Sequence, residues 1–344
     1  MDRKLTLYIL AGMVLGVIVG QMLNQMVPAD VIKESIAPWF KLLSDIFLNL
    51  IKMLVAPLVL STIVVGIAHM GDSAALGRIG VAAVDLATGE QVMVLGDQLF
   101  PMASTSKVAI AATFLEMVEQ GRYTLTSEFP LMMPVASAKY SSTKAPVRAG
   151  QYMPAIDLIE IMITRSSNPA TDALLAAVGG PAVVNDWMRR KGIGEFSINR
   201  DIATLVRDDG EHNPAYHIDT RDAATPRAMV RLLSGLYRGE FLSDQSRQVL
   251  LSAMSRTVTG KRRIPAHIPL EARVSHKTGS LSNTSSDIGL IECPDGRVIA
   301  VAIYVTGQGT KLAREERIAA IARALYDGFA VRAQLPALTH RVLP

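Results

Sequence analysis

The chain has 344 residues, a formal net charge of +4 and a single cysteine, Cys293. One cysteine excludes an internal disulfide and a cysteine-rich zinc site, and the six histidines show no metal-ligand spacing. The basic residues are scattered rather than clustered, so we expect no nucleic-acid partner, no bound metal and no other cofactor.

Two long apolar runs open the chain. The first, residues 5–28, carries no charge between Lys4 and Asp30. About 20 such residues in a helix cross the apolar core of a bilayer, and the second run, residues 46–72, is comparably apolar. We therefore expect one or two N-terminal transmembrane helices. A cleaved signal peptide is the alternative for the first run, and a buried soluble helix is the alternative for the second.

After Gly80 the pattern changes to alternating strand-like and helix-like segments. Residues 80–94 predict a β-hairpin, and residues 285–307 predict two strands around a Pro-Asp-Gly-Arg turn. Apolar spacing predicts helices at 107–120, 155–177 and 224–238 and from Glu315 onward. Strands at both ends with helices between them predict an α+β domain whose first and last strands are neighbours.

A serine and a lysine open the first helix-like run, in PMASTSKVAIAATFLEM, residues 101–117. Three residues apart on a helix, Ser104 and Lys107 share one face, a single turn from each other. A serine hydroxyl is a weak nucleophile until a base takes its proton. A lysine that burial and nearby positive charge keep neutral can be that base.

Two further motifs follow in separate predicted elements. Ser166-Ser167-Asn168 stands at the turn into a helix, and Lys277-Thr278-Gly279-Ser280 ends a predicted edge strand. The order S-x-x-K, S-x-N, K-T-G is typical of penicillin-recognising serine hydrolases. Residues 80–335 as a whole resemble the class A β-lactamases, including VGGPAVVNDWMRRKGI and DTRDAATPRAM. That resemblance implies an antiparallel sheet flanked by helices, with an additional all-helical subdomain.

The resemblance also implies the role of each motif residue. Ser104 would be acylated, Lys107 would accept its proton, and Ser166 would relay a proton to the leaving nitrogen. The backbone N–H groups of Ser104 and Ser280 would form the oxyanion hole. The substrate-binding set implied by the resemblance comprises Tyr140, Asn168, Lys277, Thr278 and Gly279.

The resemblance fails at the omega loop. Class A enzymes hydrolyse their acyl-enzyme with a glutamate in an R-x-E-P-E-L-N stretch, and here Ile202 stands at that place. Isoleucine cannot activate water, so we expect rapid acylation and slow deacylation. Asp201 is adjacent but is expected to point elsewhere. Asp208, Asp209 and Glu211 are candidate replacements in a reshaped loop.

A second departure concerns the arginine that usually helps to hold the substrate carboxylate. Ser286 and Pro265 occupy its two usual places. Arg262 and Arg263 lie near in sequence, and a solvated surface role is equally open for them. We expect His276, beside the K-T-G motif, to pack against its neighbours rather than act as a base.

The N-terminal part resembles a different family. Residues 51–80, IKMLVAPLVLSTIVVGIAHMGDSAALGRIG, resemble the second membrane helix of the dicarboxylate/amino-acid:cation symporters, and residues 5–27 resemble the first. That family's transport sites lie downstream of this segment and are missing here. We therefore predict a membrane segment at 1–79, an anchor or fusion remnant that contacts lipid through residues 1–71, and a hydrolase domain at 80–344.

The predicted function is that of a membrane-anchored serine hydrolase acting on β-lactams or peptidoglycan-like substrates. The alternatives are a penicillin-binding sensor or sequestering module, a D-Ala-D-Ala-type peptidase or esterase, and a truncated symporter-like membrane protein. One membrane helix would place the hydrolase in the periplasm, and two would return it to the cytoplasm.

Overall fold

The computed structural model describes five parts of the chain: residues 15–16, 19–22, 25–26, 38–46 and 77–333. The chain divides into two compact units. One consists of Ser61–Ala330, and the other consists of Met1–Leu60 with Val331–Pro344. The predicted membrane segments lie almost wholly outside the described residues. Among the helices that are described, none combines the length and the apolar content that a bilayer crossing requires.

A five-stranded antiparallel sheet forms the centre of the larger unit. Its strands are β1 (Gly77–Asp85), β2 (Gln91–Val94), β8 (Arg273–Leu281), β9 (Thr284–Glu292) and β10 (Val298–Gly307). They lie in the order β2-β1-β10-β9-β8, so β8 is an edge strand. β1 pairs with β10 from Gly77 opposite Gly307 to Asp85 opposite Ile299. The predicted pairing of the first and last strand segments is confirmed.

Among its described residues, two smaller sheets and eight α-helices complete the unit. The short strands are β3 (Phe100–Pro101), β4 (Glu128–Pro134), β5 (Val147–Pro154), β6 (Phe196–Ser197) and β7 (Ala223–Ala224), arranged as β3-β7-β6 and β4-β5. The helices are α1 (Lys107–Glu119), α2 (Ala155–Thr164), α3 (Asn168–Val178), α4 (Pro181–Arg190), α5 (Ile202–Arg207), α6 (Pro226–Arg238), α7 (Asp244–Ser255) and α8 (Lys311–Ala333).

Helix α1 runs through the core of the unit. Its sequence, KVAIAATFLEMVE, is apolar almost all round, and its residues from Lys107 to Leu115 are all buried. A helix that is apolar on every face belongs inside a protein. The start of α1 is therefore held from all sides, which gives Lys107 a fixed place.

The predicted helix at 155–177 is two helices, not one. α2 ends at Thr164 and α3 begins at Asn168, with Ser166 in the left-handed region at φ 57°. Pro169 lacks the N–H that a continuous helix needs, and the Ser167 side chain caps α3 by accepting from the Ala170 N–H. The S-x-N motif is thus the break itself.

A long loop joins β6 to β7, and we call residues 200–222 the 200–222 loop. Arg200 closes it, because its guanidinium donates to Asp222 at 2.5 Å and to Asp219 at 2.9 Å. The Asn199 N–H also donates to Asp222, at 2.9 Å. These charge-assisted bonds fix both ends of the loop, which carries α5 and Ile202.

Candidate active site

Ser104 lies on a single 3₁₀ turn, Ala103–Ser106, directly before α1. The residue ahead of it, Ala103, has a φ of 49° although it is not glycine. A non-glycine residue in this region is strained, and such strain persists where the surrounding structure imposes it. Ser104 itself is half-buried, whereas Lys107 is completely buried.

Lys107 joins the first two motifs. Its Nζ donates to the Ser166 carbonyl oxygen at 2.8 Å, to Ser166 Oγ at 3.2 Å and to Asn168 Oδ1 at 2.7 Å. No described residue hydrogen-bonds the Ser104 hydroxyl. Lys107 therefore engages Ser166 and Asn168 here, one helical turn from the nucleophile proposed from the sequence.

Lys277 brings the third motif to the same atom. Its Nζ donates to Ser166 Oγ at 3.0 Å and to the Thr278 carbonyl oxygen at 3.0 Å, and its side chain is completely buried. Two lysines from different elements thus meet on one hydroxyl. S-x-x-K, S-x-N and K-T-G, far apart in sequence, share one cleft.

The two lysines are hard to keep charged in this position. Burial, followed by the charge of Lys277, holds the pKa of Lys107 well below its usual range, against the raising effect of Asp172. Burial lowers the pKa of Lys277 to about 7, while Asp287 raises it and Arg263 lowers it further. A neutral Lys107 amine is what a base for Ser104 requires.

Strand β8 lies against the turn that carries Ser104. A Cβ placed on Gly279 would stand 2.6 Å from the Met102 carbonyl oxygen and would overlap Ser286 Oγ. Only glycine allows this approach. The Thr278 hydroxyl is hydrogen-bonded to the Thr259 hydroxyl at 2.7 Å.

Tyr140 lies at the rim. Its side chain is about half exposed, and its φ of 60° is left-handed. Its N–H donates to Asp208 Oδ1 at 2.9 Å, which ties it to the 200–222 loop. The structure therefore brings Tyr140 to that loop. Direct hydrogen bonds connect Lys107 to Ser166 and Asn168, and Lys277 to Ser166.

Ile202 is the first residue of α5 and is buried. Its N–H donates to Asp172 Oδ1 at 2.7 Å, and the next N–H, of Ala203, donates to Asp172 Oδ2 at 2.8 Å. Asp201 caps the helix by accepting from the Thr204 N–H at 2.8 Å. An aliphatic side chain therefore occupies the place where the resemblance requires a carboxylate.

The three carboxylates proposed from the sequence as replacements are bound elsewhere. Each has its own structural partner: Asp208 pairs with Arg207 at 2.7 Å, Asp209 accepts the Ser282 N–H at 2.9 Å, and Glu211 pairs with Arg221. These contacts stabilise the 200–222 loop, so the expectation that one of these residues has become free to act as a base finds no support.

Arg263 is not a surface residue. It is 2% exposed, and it donates to the carbonyl oxygens of Gly279 at 2.8 Å and Ser286 at 2.7 Å and to Ser280 Oγ at 2.6 Å. A positive charge thus lies directly behind the K-T-G strand, next to the proposed carboxylate-binding residues. The sequence left this role and a surface role equally open for Arg263, because its burial depends on the turn after Arg263 folding onto β8 and β9.

His276 is buried and faces the neighbouring strand. Its Nδ1 lies 2.9 Å from both carboxylate oxygens of Asp287, which is itself completely buried. This contact agrees with the expected packing role. Among the described residues, one group could hold a metal ion, Glu211 with His212 and Asp219, and Arg221 is already bound to both of its carboxylates.

Two family models match the chain. The beta-lactamase enzyme family matches residues 66–329, and the sodium:dicarboxylate symporter family matches residues 5–95. The second match confirms the resemblance of the N-terminal part. The first covers most of the chain, including every residue proposed for the site.

Curated relatives agree with the first match. The beta-lactamase CTX-M-8 of Citrobacter amalonaticus is 31% identical over 256 residues, which span 74% of this chain and 84% of the relative. The beta-lactamase OXY-2 of Klebsiella oxytoca is 30% identical over 254 residues, 73% of this chain and 84% of the relative.

Solved structures carry the same fold. A variant of the class A beta-lactamase of the last common ancestor of Gram-negative bacteria is 33% identical, with a TM-score of 0.67, over 79% of this chain and 99% of that one. A PBP-A mutant, solved as an acyl-enzyme complex with penicillin G, is 26% identical, with a TM-score of 0.66, over 78% of this chain and 97% of that one. The chain therefore belongs to the β-lactamase enzyme family and has its class A fold.

Proposed function

We propose that this serine β-lactam hydrolase forms an acyl-enzyme on Ser104 readily and releases it slowly. The observation that carries acylation is the meeting of Lys107 and Lys277 on the Ser166 hydroxyl, one helical turn from Ser104. This arrangement gives a nucleophile, a buried amine and a second hydroxyl in one cleft. The family matches do not favour a sensor, a peptidase or a transporter.

The acylation step uses these groups in order. Ser104 Oγ attacks the lactam carbonyl carbon and its proton passes to the neutral Lys107 amine. The carbonyl oxygen becomes an oxyanion, which the N–H groups of Ser104 and Ser280 bind, each donor being worth about 2.7–4 kcal/mol in acyl-transfer sites. The C–N bond then breaks, and Ser166 passes a proton, replenished through Lys107, to the leaving nitrogen.

Binding orients the substrate before this step. Lys277 supplies a positive charge and Thr278 a hydroxyl for the substrate carboxylate, with Arg263 buried behind the same strand. Asn168, whose Oδ1 is held by Lys107, has its amide N–H₂ left for a substrate carbonyl, and Tyr140 lies at the rim. Holding the carbonyl near Ser104 removes much of the entropic barrier.

Deacylation lacks the carboxylate base that class A enzymes carry at the position of Ile202. Water must lose a proton as it attacks the ester, and a positioned base contributes about 10²–10⁴-fold to such a step. Ile202 has no group that accepts a proton, and the nearby carboxylates of the 200–222 loop are held by other partners. The ester on Ser104 is therefore expected to persist.

Intact-protein mass spectrometry tests this proposal directly. The full chain, purified in detergent and mixed with excess penicillin, should gain the mass of one penicillin and keep it, while nitrocefin turns over slowly. Ser104→Ala should gain no mass. Fast multiple turnover without a detectable adduct would contradict slow deacylation, and an adduct on Ser104→Ala would contradict the assignment of the nucleophile.

We further propose that residues 1–71 contact the lipid bilayer and that the hydrolase domain faces the periplasm. The uncharged run at 5–28 and the symporter-family match at 5–95 support an anchor. Protease added to intact spheroplasts should digest the hydrolase domain. Protection in intact spheroplasts but digestion after lysis would place the domain in the cytoplasm instead.

A further inference from the structure

Asp172 is a buried acid beside the site that the mechanism above does not use. It follows Asn168 by four residues on α3, and residues at this spacing share one helix face. Asn168 accepts a hydrogen bond from Lys107 at 2.7 Å, so the face that carries Asp172 is the one turned toward the Lys107 amine. Asp172 is 6% exposed, and no hydrogen bond joins it to Lys107 among the described residues.

Both oxygens of this carboxylate are already engaged. Oδ1 accepts the Ile202 N–H at 2.7 Å and Oδ2 accepts the Ala203 N–H at 2.8 Å. The carboxylate thus ties α3 to the first turn of α5, and it cannot rotate without releasing one of these groups. Its position relative to Lys107 is fixed by the same two bonds.

The charges around Asp172 are few. The charge of Lys107, at the start of α1, lowers the pKa of Asp172, and the charge of Asp201, just before α5, raises it. Lys139 and Arg207 line a surface cavity that Asp172 also lines. Burial raises the pKa of Asp172 to about 6, against the two N–H groups that lower it. At neutral pH the ionised form therefore predominates, and its charge favours the protonated state of Lys107.

We propose that Asp172 is a positioning residue for acylation, whose carboxylate holds the start of α5 against α3 and places a negative charge on the helix face that is turned toward Lys107. This inference rests on the proposed function, since it concerns Lys107 as the base for Ser104. The site then has two buried amines, and each has a buried carboxylate nearby. Asp172 is the carboxylate near Lys107, and Asp287 is the one near Lys277.

A consequence concerns position 202. The Ile202 N–H touches Asp172, so a carboxylate introduced at position 202 would stand beside a second, buried carboxylate. Like charges at this range raise a carboxyl pKa by about one unit or more, so the introduced acid would ionise at a higher pH than it would beside an uncharged residue 172. An uncharged residue at position 202 is therefore the one that suits an ionised Asp172.

The first experiment measures the acylation rate constant of the full chain with penicillin as a function of pH. Asp172→Asn should move the acidic limb, where Lys107 becomes protonated, to lower pH by about one unit. Asp201→Asn is the matched control, because it removes a charge from the same segment while an asparagine still caps α5, and its limb should stay in place.

The outcomes separate the two claims. Absence of any Ser104 adduct in the unmodified chain would defeat the proposed function. If Asp172→Asn still forms the adduct and its acylation rate constant is lower by the same factor at every pH, with the acidic limb unmoved, the charge role of Asp172 is wrong. Asp172→Ser is the second variant. If thermal melting shows that neither Asp172→Asn nor Asp172→Ser folds, Asp172 acts only by holding α5 against α3, and this result also counts against the proposal.

The second experiment measures deacylation. Ile202→Glu and the double variant Ile202→Glu/Asp172→Asn are acylated with penicillin, and loss of the adduct is followed by mass as a function of pH. The acidic limb of the deacylation rate should lie about one unit lower in the double variant, because the like charge of Asp172 is gone. Superimposable limbs in the two variants would overturn the proposed repulsion.

Discussion

At position 279 the absence of a side chain lets β8 lie against the Met102 backbone, beside Ser104. Gly279→Ala should push the strand away, lower the acylation rate by roughly 100-fold and lower the melting temperature. Stopped-flow acylation and thermal melting measure the two effects. Gly194→Ala is the control, because nothing lies near a Cβ at that exposed position. Acylation at the normal rate in Gly279→Ala would show that the close approach is not needed.

Lys277 should limit the acylation of penicillins at high pH. With its pKa at about 7, the amine is charged below this pH and neutral above it, so it attracts a substrate carboxylate progressively less as pH rises. The second-order acylation constant should fall above pH 7 for a penicillin. A penicillin methyl ester, which has no carboxylate, should show no such fall, and an equal fall for both compounds would exclude this role.

The motif residues could be predicted from sequence because each motif is local, and the order of the three motifs is informative. Arg263 and Asp172 could not be assigned in this way. Arg263 acts through a turn that folds back onto β8, and the partners of Asp172 lie 30 residues or more along the chain. The one available signal for Asp172 was an acid one turn after Asn168 on an otherwise apolar helix face.

Among the elements, the 200–222 loop is closed by Arg200, which pairs with two aspartates at the far end of the loop. Arg200→Gln would leave the buried Asp222 without its cation and would remove one of the two arginines that pair with Asp219. Breaking such a pair from one side costs about 3–5 kcal/mol, measurable by urea denaturation, and limited proteolysis should then cut the loop. Arg189→Gln, which removes an exposed pair with Asp186, should cost about 1 kcal/mol or less. Similar losses in both variants would contradict the closing role of Arg200.

The elements that the sequence predicts are present, with one instructive exception. The hairpin at 80–94 became β1 and β2, and the strands at 285–307 became β9 and β10, because alternation and turn residues are local signals. The run at 155–177 was split by Ser166 and Pro169. Apolar spacing continues across this break, since both helices face the same core, so periodicity alone could not reveal it.

For the whole molecule, the position of β1 decides where the hydrolase domain can begin. β1 lies between β2 and β10 and pairs with both. A fragment of residues 61–344 should fold and be acylated by penicillin, while residues 87–344, without β1, should not fold. A start at the predicted boundary, residue 80, removes three of nine pairs with β10 and should lower the melting temperature. Circular dichroism and adduct mass measure these outcomes, and acylation of the 87–344 fragment would contradict them.

The edge position of β8 has one more consequence. An edge strand presents main-chain N–H and C=O groups along its free side, and an amide-containing ligand can add to them as a further strand. These donors and acceptors belong to the backbone, so mutation to any residue except proline leaves them in place. Outside Gly279, recognition of the substrate amide should therefore tolerate substitutions along Arg273–Leu281 far better than the side-chain chemistry beside it does.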